Sequence, residues 1–494
     1  MTATDTGAST SATATSAGSE EDLLARVSAP QGQGRQIREP ATGAVLGAAP
    51  VHSKQDLDAA VAAARAAQPA WAASGHEQRS QVLLRMADRI DALAEPLARL
   101  LAREQGKPLN GPNARFEVGA CSAWLRATAA TTLEPQVVVD DGATRAELTY
   151  RPVGVVGAIG PWNWPLMITI WQVAPALRMG NAVVVKPSEY TPLSVLALIS
   201  ILNEELPEGV LSAVSGEGEV GARLASHPDV DKVMFTGSTA TGRRIIESSA
   251  GNLARLTLEL GGNDAGIVLP DADPQAIADG LFWGAFINTG QTCAALKRLY
   301  VHDSLYEEVV DALADVARAM PMGASLDETS VLGPLQNKQQ FDVVARLVED
   351  AKQRGGRIVT GGQPATELGE LFFPVTLIAD LKDGDPLVDE EQFGPALPII
   401  RYSEIDDAVA SANRLEAGLG ASVWSADPAA ARAVAERIQA GTVWINSHGG
   451  VHPMVPFGGV KGSGYGLEFG VEGLKAVAAP QVISAASPTI APTA

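Results

Sequence analysis

Apolar residues recur at helical intervals between positions 53 and 105. Leu83, Met86, Ile90, Leu93, Leu97 and Leu100 stand three or four apart, the spacing of one buried helix face. Ser53 and Asp56 have the separation of a capping box, with aspartate where Glu or Gln is usual. Gly106 is the predicted stop, with Pro108 just beyond it. From 134 to 149 the texture changes to alternation (VVVDDGATRAELTY), which predicts a hairpin around Asp141 and Gly142.

From Val153 onward, short β-branched runs alternate with helical patterns such as 193–202. VGVVGAIG, AVVVKP, DKVMFTG, LTLELGG and DAGIVL each end near glycine or proline. That alternation predicts parallel strands with crossover helices, whose strand tips are where open α/β sheets bind ligands. A second α/β series runs from about 271 to 446, and the chain closes with another extended piece, AVAAPQVISAA, and a Pro/Ala/Thr tail. The stretch 152–177 carries no formal charge and is long enough to mimic a membrane span. Its glycines and prolines, with Asn163 and Gln172, would leave a lipid-facing backbone unsatisfied, so it reads as buried functional backbone.

Composition narrows the class. Of 494 residues, 46% are hydrophobic and 19% charged, near the globular average and unlike a disordered or fibrous chain. That length predicts roughly three folding units. The formal net charge of −20 argues against nucleic-acid and membrane-surface partners. Cys121 and Cys293 are too few for a disulfide framework, which fits a reducing compartment and predicts a cytoplasmic protein. The six histidines form no HExxH or Cys/His cluster, so no metal site is expected. Residues 1–18 are nearly all Ser, Thr, Ala and Gly, without the basic start or apolar run of a signal peptide.

Gly216, Gly218 and Gly221 spell GxGxxG, but the preceding apolar run is short, and Glu217 and Glu219 would face a pyrophosphate. A chance match is the better reading. FTGSTATG, 235–242, is a stronger phosphate turn: it follows a strand, opens a helix, and offers Ser238 and the helix N-terminus as donors. Cys293, in FINTGQTCAALKR, would ordinarily read as a buried small hydrophobe. Asn288, Thr289, Gln291 and Thr292 make its approach polar, as a thiolate nucleophile needs. Glu259 ends an apolar run beside two glycines, where a carboxylate is costly unless it is paired or used as a base. Asn163, within PWNWP, is an uncharged donor suited to an oxyanion.

In this order and spacing, PWNWP, KPSE, FTGSTATG, LELGG, NTGQTCAALKR, EEQFGP and PFGGVKGSGYGLE resemble the aldehyde dehydrogenase superfamily, hydrolytic branch, over about 30–480. The resemblance implies an α/β fold with a Rossmann-like cofactor domain (20–131 and 150–258) and an α/β catalytic domain (259–472). A small oligomerisation sheet (132–149 with 473–486) would complete it, between an N-terminal tail (1–19) and a C-terminal one (487–494). A homodimer or homotetramer is expected.

The same resemblance implies oxidation of an aldehyde to the acid with reduction of NAD. Cys293 would form a thiohemiacetal and then a thioester, Asn163 would hold the oxyanion, and Glu259 would activate the hydrolytic water. Lys186, Ser188 and Glu189 of KPSE resemble contacts at the adenosine end, and a Glu189 carboxylate would repel a 2′-phosphate, favouring NAD over NADP. Ser238 resembles the pyrophosphate donor, with Glu391 and Phe393 at the nicotinamide ribose. Ile159, Trp162, Gly218 and Phe235 are further cofactor contacts by the same resemblance, as are Gly237, Thr239, Gly242 and Leu260. Trp164, Met167, Trp171, Ile287, Thr292, Val451 and Phe457 would line an apolar passage for an uncharged aliphatic or aromatic aldehyde. His448 and His452 flank it as wall or surface residues. Competing readings are a coenzyme A-acylating member, disfavoured by Glu259, an NADP-preferring semialdehyde dehydrogenase, and a non-catalytic binding protein on the same fold.

Overall fold

Two largely parallel sheets meet where the chain passes from Glu259 to Asp264. In the computed structural model, which describes residues 18–486, the first sheet has six strands. Their spatial order is Gly464–Tyr465, Arg255–Glu259, Lys232–Thr236, Val155–Ile159, Ala182–Lys186 and Leu211–Ala213. All pair in parallel except the first, which runs antiparallel with Gly464 opposite Glu259. The three central strands are buried on both faces, which is why they read as continuous apolar runs.

The second sheet has seven strands, ordered Arg357–Thr360, Thr376–Leu381, Ala396–Tyr402, Leu296–His302, Asp264–Val268, Gly420–Trp424 and Thr442–Ile445. Only Arg357–Thr360 is antiparallel to its neighbour. A separate antiparallel sheet joins Ala478–Ala486, Thr144–Pro152 and Gln136–Asp140, with Ala478 opposite Pro152 and Ala486 opposite Thr144.

The helical stretch is three helices, Lys54–Ala73, His76–Ala92 and Ala94–Gln105. Both capping-box bonds form at Ser53 and Asp56, Gly75 breaks the run at φ 85°, and Gly106 ends it in the left-handed region at φ 96°. The uncharged stretch divides into strand and the helix Pro165–Arg178, every residue of which is buried in protein. Among the described residues no helix is long and apolar enough to cross a membrane. The tails lie outside the described residues, except that Ser19, assigned above to the N-terminal tail, caps the helix Glu20–Val27 through a second capping box with Asp22.

Candidate active site

Cys293 follows a turn whose backbone is held in an uncommon shape. Asn288 and Thr289 take φ values of 51° and 56°, and Gly290 continues at 76°. Non-glycine residues adopt this region at a cost and keep it only where their surroundings over-determine it. Here Gln291 spans the turn, donating to the Asn288 carbonyl (3.1 Å) and accepting from the Gln336 amide (2.9 Å). Thr289 and Gly333 bond to each other in both directions.

The thiol lies on the wall of a cavity of about 660 Å³, together with the Asn163 side chain. Burial pushes its pKa up to about 12; Lys297 opposes this, while Glu259 and Asp264 reinforce it. The Lys297 ammonium bonds the Cys293 carbonyl and stands 3.0 Å from Glu391 Oε1. Gly262 packs so tightly that a Cβ there would lie 2.7 Å from the Cys293 carbonyl oxygen.

Asn163 is 3% exposed, and its Nδ2 donates to the Gln291 carbonyl at 2.9 Å, leaving its second N–H uncommitted. Glu259 ends its strand next to Leu260 and Gly261, which line the cavity, and is not itself among the lining residues. Both carboxylate oxygens are buried without a hydrogen-bond partner. Burial raises its pKa well above the usual carboxylate range, and the nearby Glu468 carboxylate raises it further. Glu468 is itself raised to about 8 by burial, with Lys232 opposing.

Of the residues assigned to a cofactor, Ile159, Trp162, Lys186, Ser188, Glu189, Gly218, Phe235, Gly237, Ser238, Leu260, Glu391 and Phe393 line the same cavity. Lys186 stands 3.4 Å from the Glu189 carboxylate. Ser238 caps the helix Thr239–Ser249, placing that helix's N-terminal amides at the cavity. Phe393, at φ 45°, sets its ring edge-on to Trp162 at 5.4 Å.

Two residues assigned to the cofactor lie off this cavity. Thr239 turns away to donate to the Gly462 carbonyl, and Gly242 faces Leu260, where a Cβ would meet Leu260 Cδ2 at 2.6 Å; neither lines the cavity. Gly218 and Gly221 line the cavity at the start of the helix Gly218–Ala225, while Glu217 and Glu219 are drawn to Arg35 and Lys54 at 3.3 and 3.6 Å.

Trp164, Met167, Trp171 and Phe457 belong to one apolar cluster, against which Ile287, Val451 and Cys293 pack. Thr292 joins them by accepting from Trp164 Nε1 at 3.0 Å. The His448 side chain is buried, 2.9 Å from Ser422 Oγ, whereas His452 is exposed. Trp124 and Phe469 extend the aromatic wall at 5.6 and 4.7 Å from Trp171, and the sequence reading missed both. It missed Glu468 as well. Phe469 has a positive φ that no local pattern announces, but Glu117, Cys121 and Trp124 share one helix face, and an acid on that face was a readable signal.

Comparison with known proteins agrees with this geometry. The model of the aldehyde dehydrogenase family matches residues 27–483. The chain is 40% identical to a phenylacetaldehyde dehydrogenase of Pseudomonas fluorescens, over 89% of this chain and 90% of that one. It is similar to the structure of PnpE from Pseudomonas sp. WBC-3 in complex with nicotinamide adenine dinucleotide (TM-score 0.89, 37% identity, 93% and 95% of the two chains). It is also similar to an NADP-dependent enzyme of E. coli (TM-score 0.90, 33% identity, 93% and 96%). A cysteine on the wall of a cavity at the tips of a parallel sheet, in a chain matched over nearly its whole length, leads to one conclusion: this protein belongs to the aldehyde dehydrogenase family and is an aldehyde-oxidising oxidoreductase.

Proposed function

We propose that the protein oxidises an uncharged aliphatic or aromatic aldehyde to its carboxylic acid with NAD, through a covalent adduct on Cys293 that is released by hydrolysis. The observation that supports this reading is that Cys293 and Asn163 line one cavity, with Cys293 within electrostatic reach of the buried, unpartnered Glu259.

In this reading the Cys293 thiolate attacks the carbonyl carbon and the free Asn163 N–H receives the developing oxyanion. Lys297 favours the thiolate, and its bond to the Cys293 carbonyl anchors the backbone of the nucleophile. A bound nicotinamide dinucleotide supplies the two-electron acceptor that takes the captured aldehyde to the acyl level. Glu259 then accepts a proton from water, whose oxygen attacks the thioester carbon and releases acid and thiolate. A base with a raised pKa suits that proton transfer.

The fit to the dinucleotide rests on groups this chain presents: the N–H donors of the Ser238 helix terminus for an anionic pyrophosphate, and the Lys186 ammonium as donor and Glu189 carboxylate as acceptor for ribose hydroxyls. The Glu189 carboxylate at that wall favours NAD over a cofactor carrying a 2′-phosphate. The apolar cluster around Cys293 supports an uncharged substrate, as does the name of the Pseudomonas fluorescens relative. The exposed valines of the three-stranded sheet support assembly into a homo-oligomer.

The experiment is a panel of uncharged and carboxylated aldehydes, assayed with NAD and NADP, with and without coenzyme A. The expected result is higher kcat/KM for uncharged aldehydes with NAD and a free acid as product. An acyl-coenzyme A product, or a preference for semialdehydes with NADP, would overturn the reading.

A further inference from the structure

We propose that the buried ion pair of Lys107 and Glu117 holds Asn163 in register with Cys293, Lys107 acting as a positioning residue for the oxyanion contact. The proposal rests on the reading of Asn163 as the oxyanion donor.

Lys107 follows the left-handed Gly106 at the end of its helix, and its side chain, like that of Glu117, has no exposure at all. An ammonium has three N–H groups to satisfy. Here one meets Glu117 Oε2 at 2.6 Å and one the Asn163 carbonyl at 2.8 Å, while the face of the Trp164 ring lies 3.6 Å from the nitrogen. The other Glu117 oxygen accepts from the amides of Leu166 (2.8 Å) and Met167 (3.1 Å). Those amides begin the helix Pro165–Arg178, where no earlier turn can accept from them.

The cation therefore holds the backbone before Trp164 and the anion holds it after. Asn288 Nδ2 shares the Asn163 carbonyl at 2.8 Å, and the Trp164 indole bonds Thr292, the residue before the nucleophile. The buried pair thus sits where the oxyanion donor and the nucleophile's own turn are already bonded to each other. A buried pair of this kind is a poor choice for packing alone, because apolar side chains of similar volume fill space without the desolvation cost. Capping the helix requires Glu117 but not a cation on the Asn163 carbonyl. That bond is what the cation adds to the hold that Asn288 and Gln291 already keep on Asn163.

The test is a double-mutant cycle between Lys107→Met/Glu117→Gln, which leaves no unpaired buried charge, and Asn163→Ala. The single-turnover rate of NADH formation is read, with thermal melting and the rate of Cys293 alkylation as checks on fold and nucleophile. The paired variant is expected to slow single turnover about 10- to 100-fold, short of the full loss of an oxyanion donor. The KM for aldehyde should change less. In the Asn163→Ala background the same pair should cost less than about twofold, because there is no donor left to position.

Equal losses in both backgrounds, or no loss in the first, would overturn the proposal. Should the paired variant not fold, Lys107→Gln/Glu117→Gln, which keeps an N–H for the Asn163 carbonyl and leaves no unpaired charge, enters the same cycle with a smaller loss expected and the same non-additivity. If Asn163→Ala itself turns over at the wild-type rate, the oxyanion reading fails and the proposal falls with it. If Asn163→Ala is slow but the cycle is additive, only the proposal fails.

Discussion

Glu468 shows how a single residue can make stability depend on pH. Burial raises its pKa from 4.5 to about 8, so the folded protein keeps a proton that the unfolded chain gives up. Its contribution is full below pH 4.5 and is lost as the pH rises towards about 8. Glu468→Gln removes that dependence. In thermal melts the variant's midpoint should gain on the wild type between pH 5 and pH 8; a difference that stays constant over that range would show that Glu468 does not titrate there. At this scale the sequence was informative where a residue sits in an incongruous setting. Cys293 among polar neighbours and Glu259 at the end of an apolar run could both be singled out. Glu468 and Lys107 could not, because each takes its meaning from a partner remote in the chain or from burial that sequence neighbours do not reveal.

Among the elements, the turn at Gly106 is constrained by both its backbone and its neighbours. Its φ is 96°, and a Cβ there would lie 3.1 Å from Pro40 and 3.2 Å from Pro334. Gly106→Ala should cost about 1–2 kcal/mol, the ordinary penalty of the left-handed region. Contacts to two stiff prolines leave little room for relief. A lowered thermal midpoint is the expected result, and an unchanged one would mean that the turn reshapes freely. Strand ends and helix caps were legible because their signals are local: capping spacing, Gly and Pro stops, β-branched runs. Strand order was not. Arg255–Glu259 and Asp264–Val268 are nearly adjacent in sequence yet lie in different sheets, a division made by tertiary packing rather than by either segment's own pattern.

For the whole molecule, the three-stranded sheet has consequences beyond one chain. Its outer strand, Gln136–Asp140, leaves Val137, Val138 and Val139 exposed at 50, 54 and 41%, with a free edge that invites pairing. In the oligomer proposed above, Val138→Asp should shift the mass measured by light scattering towards the monomer with the melting of the subunit little changed. An unchanged assembly would place the interface elsewhere. The α/β class was readable from the alternation of strand and helix patterns, and the family from its spaced motifs. The closing of the aromatic wall by Trp124 and Phe469 was not, since these residues meet Trp171 only after distant helices have packed.

The claim on which all else depends is that Cys293 carries the acyl group and Glu259 is required for its release. Intact-protein and peptide mass spectrometry of Glu259→Gln, quenched seconds after mixing with NAD and a small aldehyde, tests this directly. The account predicts one equivalent of NADH released as a burst and an acyl mass on the peptide containing Cys293, absent from Cys293→Ala. An acyl mass on another residue, or steady turnover of Glu259→Gln at the wild-type rate with no adduct, would contradict it.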